Sequence, residues 1–406
     1  MRIIHLANWN STNIGNGALI SGTERSLKED IPEIELLPEP WDNYTFGIKK
    51  FDASFVDFVN STDGLLIGPA VTLNGQKHQV ETGTRVELPL PLWRKIKKPI
   101  VFYGISYRHW ENQRYHNREQ FEKTFAYILN NPKILLSVRN DGTKNWLEKM
   151  LGQDLAGKVY VIPDPALYVE TRDSFHPELH TEKKNVILSL NNEDEVYRFG
   201  GTGRKIAWKL LANFVPEKPL IRAWKKIPGW DQRRTNFLKN LALALETVSK
   251  EFDLNIILAP HYFDDFRAIS EFIPRCPLRF PHQVLISTGM ARVPQTPYFY
   301  DLYGKVDLAL SMRVHSMSPA MGLGVPTIAL TSQSRMTEFL KDAGLDNLGV
   351  DIFDDKLHTT LAEKIIAILR DNQKTKNLIN KSIRELRNRT HQFNQEILLP
   401  FLFGFK

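Results

Sequence analysis

The sequence predicts an α/β protein of two doubly wound domains that face each other across a cleft. Short apolar runs rich in β-branched residues alternate with longer amphipathic runs along the chain, which indicates βαβ units and parallel sheets. A polar segment at residues 169–184 separates these runs into two sets. The length of 406 residues fits this division, because each half is long enough to bury a core of its own.

The candidate strands are ten short apolar runs. In chain order they cover residues 2–7, 64–67, 99–103, 134–138, 159–162, 185–190, 255–258, 284–286, 306–311 and 327–330. Longer runs with helical spacing lie between them, for example at 118–129, 143–151, 234–252 and 336–343. We therefore predict an N-terminal domain over residues 1–175, a second domain over 176–375, and a helical tail over 376–406 that packs across the domain junction.

The composition is that of a soluble globular protein, with 42% hydrophobic and 24% charged residues. Cys276 is the only cysteine, which excludes an internal disulfide and a cysteine-based zinc site. The acidic pairs at 264–265 and 354–355 are more typical of solvated loops than of metal ligands. The run at 193–195 is the nearest match to an acidic metal motif, but so short a run rarely supplies a preorganised set of oxygen ligands, so no metal is expected. The N-terminus has no signal-peptide pattern, and no apolar run reaches the roughly 18 residues of a membrane span, which predicts a cytoplasmic protein.

The net charge of +7 is concentrated in residues 203–234, which contain nine basic and two acidic residues, whereas the rest of the chain has 44 of each sign. No basic stripe is found elsewhere, so nucleic acid is not expected as a partner. Trp208 and Trp224 are interleaved with the cations, a pattern typical of helices that lie on an anionic membrane. Peripheral contact with the inner face of the membrane is one interpretation. A packing segment with a solvated basic face and a mobile lid over an acidic substrate are the others.

The most informative motif follows the strand predicted at residues 306–311, because ligands bind at the carboxyl ends of strands in this fold class. Arg313 and His315 come directly after that strand, and Ser316 has the chemistry of a helix start. Their spacing of two predicts that Arg313 and His315 lie on one side of an extended segment, where helix amides favour an anion. Arg335 follows the next strand and is expected to approach the same anion. The alternative is a structural ion pair and a core histidine.

A second candidate is the loop at residues 8–17, which follows the first strand and precedes a helix expected from about Gly17. Its glycines allow backbone to approach a ligand closely, and side chains such as Asn13 and Asn16 can bond sugar hydroxyls or phosphates. The alternative is an asparagine-rich turn with no ligand.

Three further candidates also follow predicted strands. Arg139 and Asp164 end two strands of the first half, and Asp164 either orients a substrate hydroxyl or caps the following turn. His261 follows the strand at 255–258 and is either a cleft residue or a structural histidine.

A series of segments carries a family resemblance. In order they read NIGNGALI, TDGLLIGPA, KKPIVFYGIS, SVRNDGTKNWL, IPDPALY and LSMRVHSMSPAMGLGVPTIAL followed by SRMTEFLKDAGL. Over about residues 8–345 the chain resembles the polysaccharide pyruvyl transferases. The resemblance implies two Rossmann-like domains in the glycosyltransferase-B arrangement. It also implies phosphoenolpyruvate as co-substrate with no further cofactor, a glycan or lipid-linked oligosaccharide as acceptor, and a pyruvate ketal of a surface polysaccharide as product.

The resemblance also implies roles for individual residues. His315 would protonate the methylene carbon of phosphoenolpyruvate, while Arg313 and Arg335 would hold its carboxylate and phosphate. Relatives often carry an arginine where this chain has Asn191 and Asn192, and Arg198 and Arg204 are the candidates to substitute for it. The residues expected to contact substrate besides Arg335 are Ser334, Ser316, Arg139, Asp164, Asn13, Asn16, Asn191 and His261.

Two other functions fit the same pattern. A glycosyltransferase of this architecture would bind a uridine or guanosine nucleotide instead of phosphoenolpyruvate. A catalytically inactive relative would bind glycan without turnover, and its glycan affinity would not change in His315→Ala.

Overall fold

Two separate, entirely parallel sheets form the centre of the protein in the computed structural model. The structure describes residues 1–110, 113–200, 211, 215, 217–276, 284–288 and 291–404. The first sheet contains β1 (Arg2–Ala7), β2 (Glu35–Pro40), β3 (Gly64–Ile67), β4 (Val71–Leu73), β5 (Ile100–Tyr107), β6 (Ile134–Arg139) and β7 (Tyr160–Ile162). The second contains β8 (Lys184–Ser189), β9 (Leu254–Leu258), β10 (Val284–Ser287), β11 (Leu308–Ser311), β12 (Thr327–Thr331) and β13 (Gly349–Asp351).

The strand order of each sheet is that of a doubly wound fold. The first sheet runs β2-β1-β3-β5-β6-β7 with β4 beside β5, and the second runs β10-β9-β8-β11-β12-β13. In both, the chain winds outward on one side of its first strand and then returns to the other side. The carboxyl ends of the strands on either side of that reversal leave a crevice, which is where ligands bind in such sheets. The predicted fold class is confirmed.

Helices cover the faces of both sheets. In the first half they are α1 (Ile14–Asp30), α2 (Trp41–Thr45), α3 (Ala53–Asn60), α4 (Leu90–Trp93), α5 (Arg118–Asn130), α6 (Thr143–Leu151) and α7 (Gln153–Ala156). In the second half they are α8 (Glu195–Phe199), α9 (Glu217–Lys225), α10 (Gln232–Ser249), α11 (Asp265–Phe272), α12 (Thr296–Gly304), α13 (Val314–Gly322), α14 (Ser334–Asp342), α15 (Leu357–Arg370), α16 (Asn372–Phe393) and α17 (Leu399–Phe403).

Strand β5 lies in the middle of the first sheet and is buried along its whole length, as expected where helices cover both faces. Its register against β6 shifts between Phe102 and Ile105, where Gly104 takes a φ of 58°. A residue with a side chain would be strained in that conformation, so the glycine permits the bulge. The strand thus continues past its predicted end to Tyr107 and reaches the cleft.

Three strands are missing from the sequence prediction, namely β2, β4 and β13. Strand β2 reads ELLPEP, and its prolines are tolerated because it is the edge strand beside β1. Strands β4 and β13 have three residues each, which is too short for a recognisable apolar pattern. Neighbouring strands, rather than local sequence, determine these elements.

The segment predicted as a membrane contact is described only in part. Residues 201–210, 212–214 and 216 lie outside the described residues. In the described part, Leu220 and Trp224 of α9 are buried in one cluster with Val196 and Tyr197 of α8. Protein therefore covers these two apolar side chains, and the membrane contact stays a prediction. No described helix is both long and apolar enough to cross a lipid bilayer.

The last helices return from the second sheet to the first. In the middle of α16, which still packs on the second half, the hydroxyl of Ser382 donates to the carbonyl of Ala343 (2.6 Å). At the end of α16, Phe393 packs in a core cluster with Tyr103 of β5, whose hydroxyl donates to Asn394 Oδ1 (3.0 Å). The tail thus contacts both halves, while the predicted domain limits stay predictions.

Arg387 on α16 joins the two halves directly. Its Nη2 donates to the carbonyls of Leu167 (2.6 Å) and Gly322 (2.9 Å), which belong to the first and second halves. The guanidinium lies over the ring of Tyr168, 5.1 Å from the centroid, and the Tyr168 hydroxyl donates to the Arg387 carbonyl (2.9 Å). Charge-assisted bonds to two carbonyls make this residue a staple across the junction.

We expect Arg387→Ala to lower the free energy of unfolding by about 1 to 3 kcal/mol, because two buried carbonyls lose their charged donor. Urea unfolding followed by circular dichroism measures the loss. Arg384→Ala, an exposed position one turn earlier on α16, is the matched control and should change stability little. Equal losses in both variants would contradict the staple.

Candidate functional site

A cavity of about 520 Å³ lies where the carboxyl ends of the two sheets meet. Its wall is rich in amide and hydroxyl side chains and also carries five charged ones. The lining comes from parts of residues 8–19, 42–51 and 71–87 and Arg108 in the first half, and from Glu193, Tyr262 and His315 in the second. A wall of this chemistry suits a ligand with many hydroxyl groups.

The asparagines of the N-terminal loop serve both the fold and the cavity. Asn13 is the N-cap of α1, and its Oδ1 accepts from the amide of Gly15 (3.0 Å). This cap starts α1 at Ile14, earlier than the predicted start at Gly17, because a side-chain acceptor satisfies the first free amide. Asn16 Nδ2 donates to Ser11 Oγ (2.8 Å). Asn13 and Asn16 also line the cavity, so the two interpretations of this loop, an asparagine-rich turn and a ligand-binding loop, are compatible.

Gly15 brings α1 into direct contact with the second half of the chain. A Cβ at this position would lie 2.8 Å from Cβ of His315 and 3.2 Å from its Nδ1. The neighbouring amide of Ile14 donates to the carbonyl of His261 (3.1 Å). A glycine is required here because a side chain would push α1 away from His315.

His315 contacts two residues of the first half. Its Nε2 lies 2.5 Å from Nη1 of Arg139 and 3.5 Å from Oδ2 of Asp164. Because an arginine can only donate, Nε2 accepts in this arrangement and the imidazole proton sits on Nδ1. Burial lowers the pKa of His315, and hydrogen bonding to Asp164 offsets part of that effect. The resting imidazole is therefore neutral at neutral pH.

Asp164 caps the turn that follows β7, which is one of the two functions that the sequence left open, while a contact with a substrate hydroxyl stays a prediction. Its Oδ1 caps the turn that follows β7 by accepting from the amide of Ala166 (2.9 Å), and also accepts from Ser318 Oγ (3.1 Å). Its Oδ2 accepts from Arg139 (3.3 Å). Burial alone would raise the pKa of Asp164, but the hydrogen bond with His315 and the charge of Arg139 hold it below its usual range. The carboxylate is thus ionised and fixed in place.

A second ion pair joins the halves beside this one. Arg335 Nε donates to Asp141 Oδ2 (2.9 Å), and Arg139 Nε lies 3.9 Å from the same oxygen. Burial would raise the pKa of Asp141, but Arg335 and Arg139 lower it. Nε and Nη2 of the fully buried Arg139 have no hydrogen-bond partner among the described residues. Asp141 is absent from the predicted site, although it lies two residues after Arg139 at the same strand end.

Arg313 and Arg335 are paired with different carboxylates of the protein, so a ligand anion shared by both stays a prediction. Arg313 Nε donates to Asp265 Oδ2 (3.1 Å), Nη2 contacts the other oxygen of the same carboxylate, and Nη1 contacts Glu193. The prediction that Arg313 and His315 project to one side fails. Arg313 is extended, but His315 lies inside α13 with φ −87° and ψ 16°, so a spacing of two no longer aligns the side chains.

Glu193 links the Arg313 pair to the cavity. Burial would raise the pKa of Glu193, yet the charges of Arg313 and Arg108 lower it to about 2. Arg108, which follows β5, lies 3.3 Å from Glu193 Oε1 and 2.8 Å from Asp194 Oδ2. The acidic run at residues 193–195 is thus engaged in ion pairs. It neutralises arginines from both halves of the chain.

Two predicted serines have local roles. The hydroxyl of Ser316 donates to the carbonyl of Arg313 (3.0 Å) and is buried. The hydroxyl of Ser334 lies 3.1 Å from that of Tyr107. Ser334 therefore joins α14 to the end of β5, and Ser316 supports the start of α13.

His261 and Asn191 also make structural contacts. His261 is fully buried, with Nε2 2.8 Å from the Tyr303 hydroxyl, and burial lowers its pKa well below the ordinary value. Asn191 Oδ1 accepts from the amide of Glu193 (2.8 Å) and holds the acidic run in place. Arg198 donates to the Glu193 carbonyl (3.2 Å). Its proposed alternative, Arg204, lies outside the described residues.

Besides Asp141, the charged groups Arg85, Arg108 and Glu193 belong to the site but are not among its predicted residues. Arg108 would have been a candidate had β5 been extended to Tyr107, because it would then follow a strand end. Arg85 lies in a segment without a motif, and no sequence signal identifies it. No group of three or more His, Cys, Asp or Glu side chains in the described part of the chain is placed to hold a metal, and a metal-free reaction stays a prediction.

The contact with Asp164 should set the protonation of His315. We expect Asp164→Asn to lower the pKa of His315 below its value in the unmodified protein, because a neutral amide no longer favours the imidazolium. A pH titration of the imidazole carbon protons by NMR measures it, with the His315 signal assigned by its loss in His315→Gln. An unchanged or raised pKa would show that Asp164 does not influence the imidazole.

Comparison with known proteins connects this geometry to a family. A family model of the polysaccharide pyruvyl transferases matches residues 13–334. UDP-GlcNAc 2-epimerase from Neisseria meningitidis, bound to UDP-GlcNAc, is similar with a TM-score of 0.52 and 11% identity over 100% of both chains. Another UDP-N-acetylglucosamine 2-epimerase is similar with a TM-score of 0.52 and 13% identity over 100% of this chain and 96% of its own. These likenesses show a glycosyltransferase-B-like fold alone, and among curated proteins none matches. Because the family match extends over most of its length, the chain belongs to the polysaccharide pyruvyl transferase family.

Proposed function

We propose that this protein transfers pyruvate from phosphoenolpyruvate to a glycan and forms a pyruvate ketal. The observation that carries the proposal is the placement of His315, within the family-matched region, at a cavity with a sugar-compatible wall. Surface polysaccharide, or its lipid-linked precursor, is the proposed acceptor.

The reaction adds an acceptor hydroxyl across the carbon–carbon double bond of phosphoenolpyruvate and then replaces the phosphate. In the first step the acceptor oxygen bonds to C2, while C3 takes a proton and becomes a methyl group. In the second step a neighbouring hydroxyl of the same sugar bonds to C2 and loses its proton to a base. The bond from C2 to the phosphate oxygen breaks, and inorganic phosphate leaves with the electron pair.

His315 is the proposed proton donor of the first step. An anionic donor beside the ring would favour the imidazolium, whose Nε2–H would point to Asp164 and whose Nδ1–H lies beside Gly15 at the cavity. After Nδ1 gives its proton to C3, the neutral ring keeps its Nε2 proton and Nδ1 can accept the proton of the attacking hydroxyl. One imidazole thus serves as acid and then as base, which balances the addition.

Arg139 and Asp164 act on this cycle as positioning residues. In the resting state Arg139 donates a hydrogen bond to Nε2 of His315 and favours the neutral imidazole, while Asp164 favours the imidazolium. The charges of Arg139 and Asp164 therefore act in opposite directions on the pKa of His315. Arg313 is held by Asp265 and Glu193, so its proposed contribution is to fix the α13 start rather than to bind the donor directly.

Removal of the imidazole should abolish turnover. We expect His315→Ala to lower kcat by about 10² to 10⁴ and to change phosphoenolpyruvate affinity by only a few fold, because proton transfer is lost while donor contacts persist. Phosphate release with a panel of glycosides measures kcat, and isothermal titration measures donor affinity. His358→Ala, on α15 outside the cavity lining, is the control with full activity. Equal turnover in both variants would remove His315 from the chemistry.

The pH dependence tests the acid role. Since the imidazolium is the reactive form, kcat/KM should fall as the pH rises above the pKa of His315. Asp164→Asn lowers that pKa, so the fall should begin at lower pH than in the unmodified protein. The phosphate of the donor ionises in the same way whichever protein is assayed. A shift of the pH profile between Asp164→Asn and the unmodified protein therefore reports on His315 alone. Superimposable profiles would contradict the acid role.

A further inference from the structure

Two arginines line the cavity, and their charges are balanced differently. Arg108 lies in ion pairs with Glu193 and Asp194. Among the residues that the structure describes, no carboxylate forms an ion pair with Arg85, whose hydrogen bonds go to neutral acceptors. Arg85 thus brings an unbalanced positive charge to the cavity wall.

The side chain of Arg85 is fixed in position. Nη1 donates to the carbonyl of Val71 (3.1 Å), and Nη2 donates to Asn8 Oδ1 (3.1 Å) and to Thr45 Oγ1 (3.3 Å). The guanidinium lies over the ring of the buried Trp41, 4.8 Å from its centroid. These contacts come from the ends of β1 and α2 and from the start of β4, so the cation is held in place before any ligand binds.

Arg85 remains a cation in spite of its surroundings. Burial and, to a smaller extent, the charge of the nearby Arg108 lower its pKa to about 10, while the charge of Asp42 acts in the opposite direction. A guanidinium with this pKa is protonated at neutral pH. A half-buried charge without an ion-pair partner interacts strongly with an anion, because the surrounding protein excludes part of the competing water.

Besides Glu193, the cavity wall contains the carboxylates of Asp42 and Glu87, and both accept hydrogen bonds from other groups. Glu87 Oε1 accepts from the amide (3.2 Å) and hydroxyl (2.9 Å) of Thr82, and its Oε2 accepts from the amide of Glu81 (3.0 Å). Asp42 Oδ2 accepts from the amide of Asn10 (3.1 Å). Both carboxylates therefore have backbone partners.

We propose that Arg85 forms an anion subsite of the cavity, which binds a carboxylate or phosphate group of a saccharide ligand. This inference rests on the proposed function for the identity of that ligand, an acidic acceptor such as a uronate or a sugar phosphate. The planar guanidinium binds either group by paired hydrogen bonds. The amide and hydroxyl side chains of the wall then contact the neutral hydroxyls of the same sugar.

The test is isothermal titration of the full chain with four probes. These are methyl glucuronide, glucose 1-phosphate, neutral methyl glucoside and phosphoenolpyruvate. The variants are Arg85→Gln, Arg85→Lys and, as a matched control, Arg94→Gln, an exposed position of the same half. Thermal unfolding of each variant verifies that the fold is intact, and Arg85→Lys keeps the charge while losing the planar geometry.

An acidic saccharide should bind more tightly than the neutral glucoside, and Arg85→Gln should weaken it about 10- to 100-fold. Arg94→Gln should bind like the unmodified protein, and Arg85→Lys should fall between the two. If Arg85→Gln instead weakens the binding of phosphoenolpyruvate, Arg85 forms an anion subsite that binds the donor and not the saccharide. The subsite is overturned if no anionic probe responds to Arg85→Gln, or if both saccharide classes weaken equally. Because binding needs no turnover, failure of the ketal-forming reaction would be recognised separately.

Discussion

The contact of Asp164 with His315 across the cleft is the interaction on which the site depends. Asp164 is fully buried, and a buried carboxylate stays ionised only when hydrogen bonds and opposite charges compensate for lost water. Arg139, Ser318 and the Ala166 amide supply that compensation. Since these partners come from different halves of the chain, they fix the relative position of the two sheets as well as the imidazole. Separation of the halves would leave a buried charge unpaired.

Charge neutralisation organises the rest of the cleft. Arg313 is paired with Asp265 and Glu193, Arg335 with Asp141, and Arg108 with the acidic run. Most arginines at the strand ends are therefore part of the framework, although in the sequence they resemble substrate ligands. What remains for a ligand is a cavity wall of neutral hydrogen-bonding groups together with the imidazole of His315 and the guanidinium of Arg85, which has no ion-pair partner among the described residues.

Close backbone approach is the second requirement of this arrangement. Gly15 permits α1 to begin against His315, and the amide of Ile14 bonds to the carbonyl of His261. The staple of Arg387 acts on the far side of the same junction through the carbonyls of Leu167 and Gly322. Together these contacts hold the N-terminal loop, α13 and α16 as one unit, so that the loop asparagines and the imidazole reach the cavity together.

The sequence by itself determined the fold class, most strands and helices, and the strand-end positions of Arg139, Asp164 and His315, because the period of apolar residues and the alternation of elements are local signals. It also determined the family, through the order of motifs. Only the tertiary structure decided which arginine pairs with which acid, since partners such as Arg313 and Asp265 lie 48 residues apart and no local pattern links them. For the same reason the strands β2, β4 and β13 and the position of Arg85 in the cavity wall emerged only from the packing of distant segments.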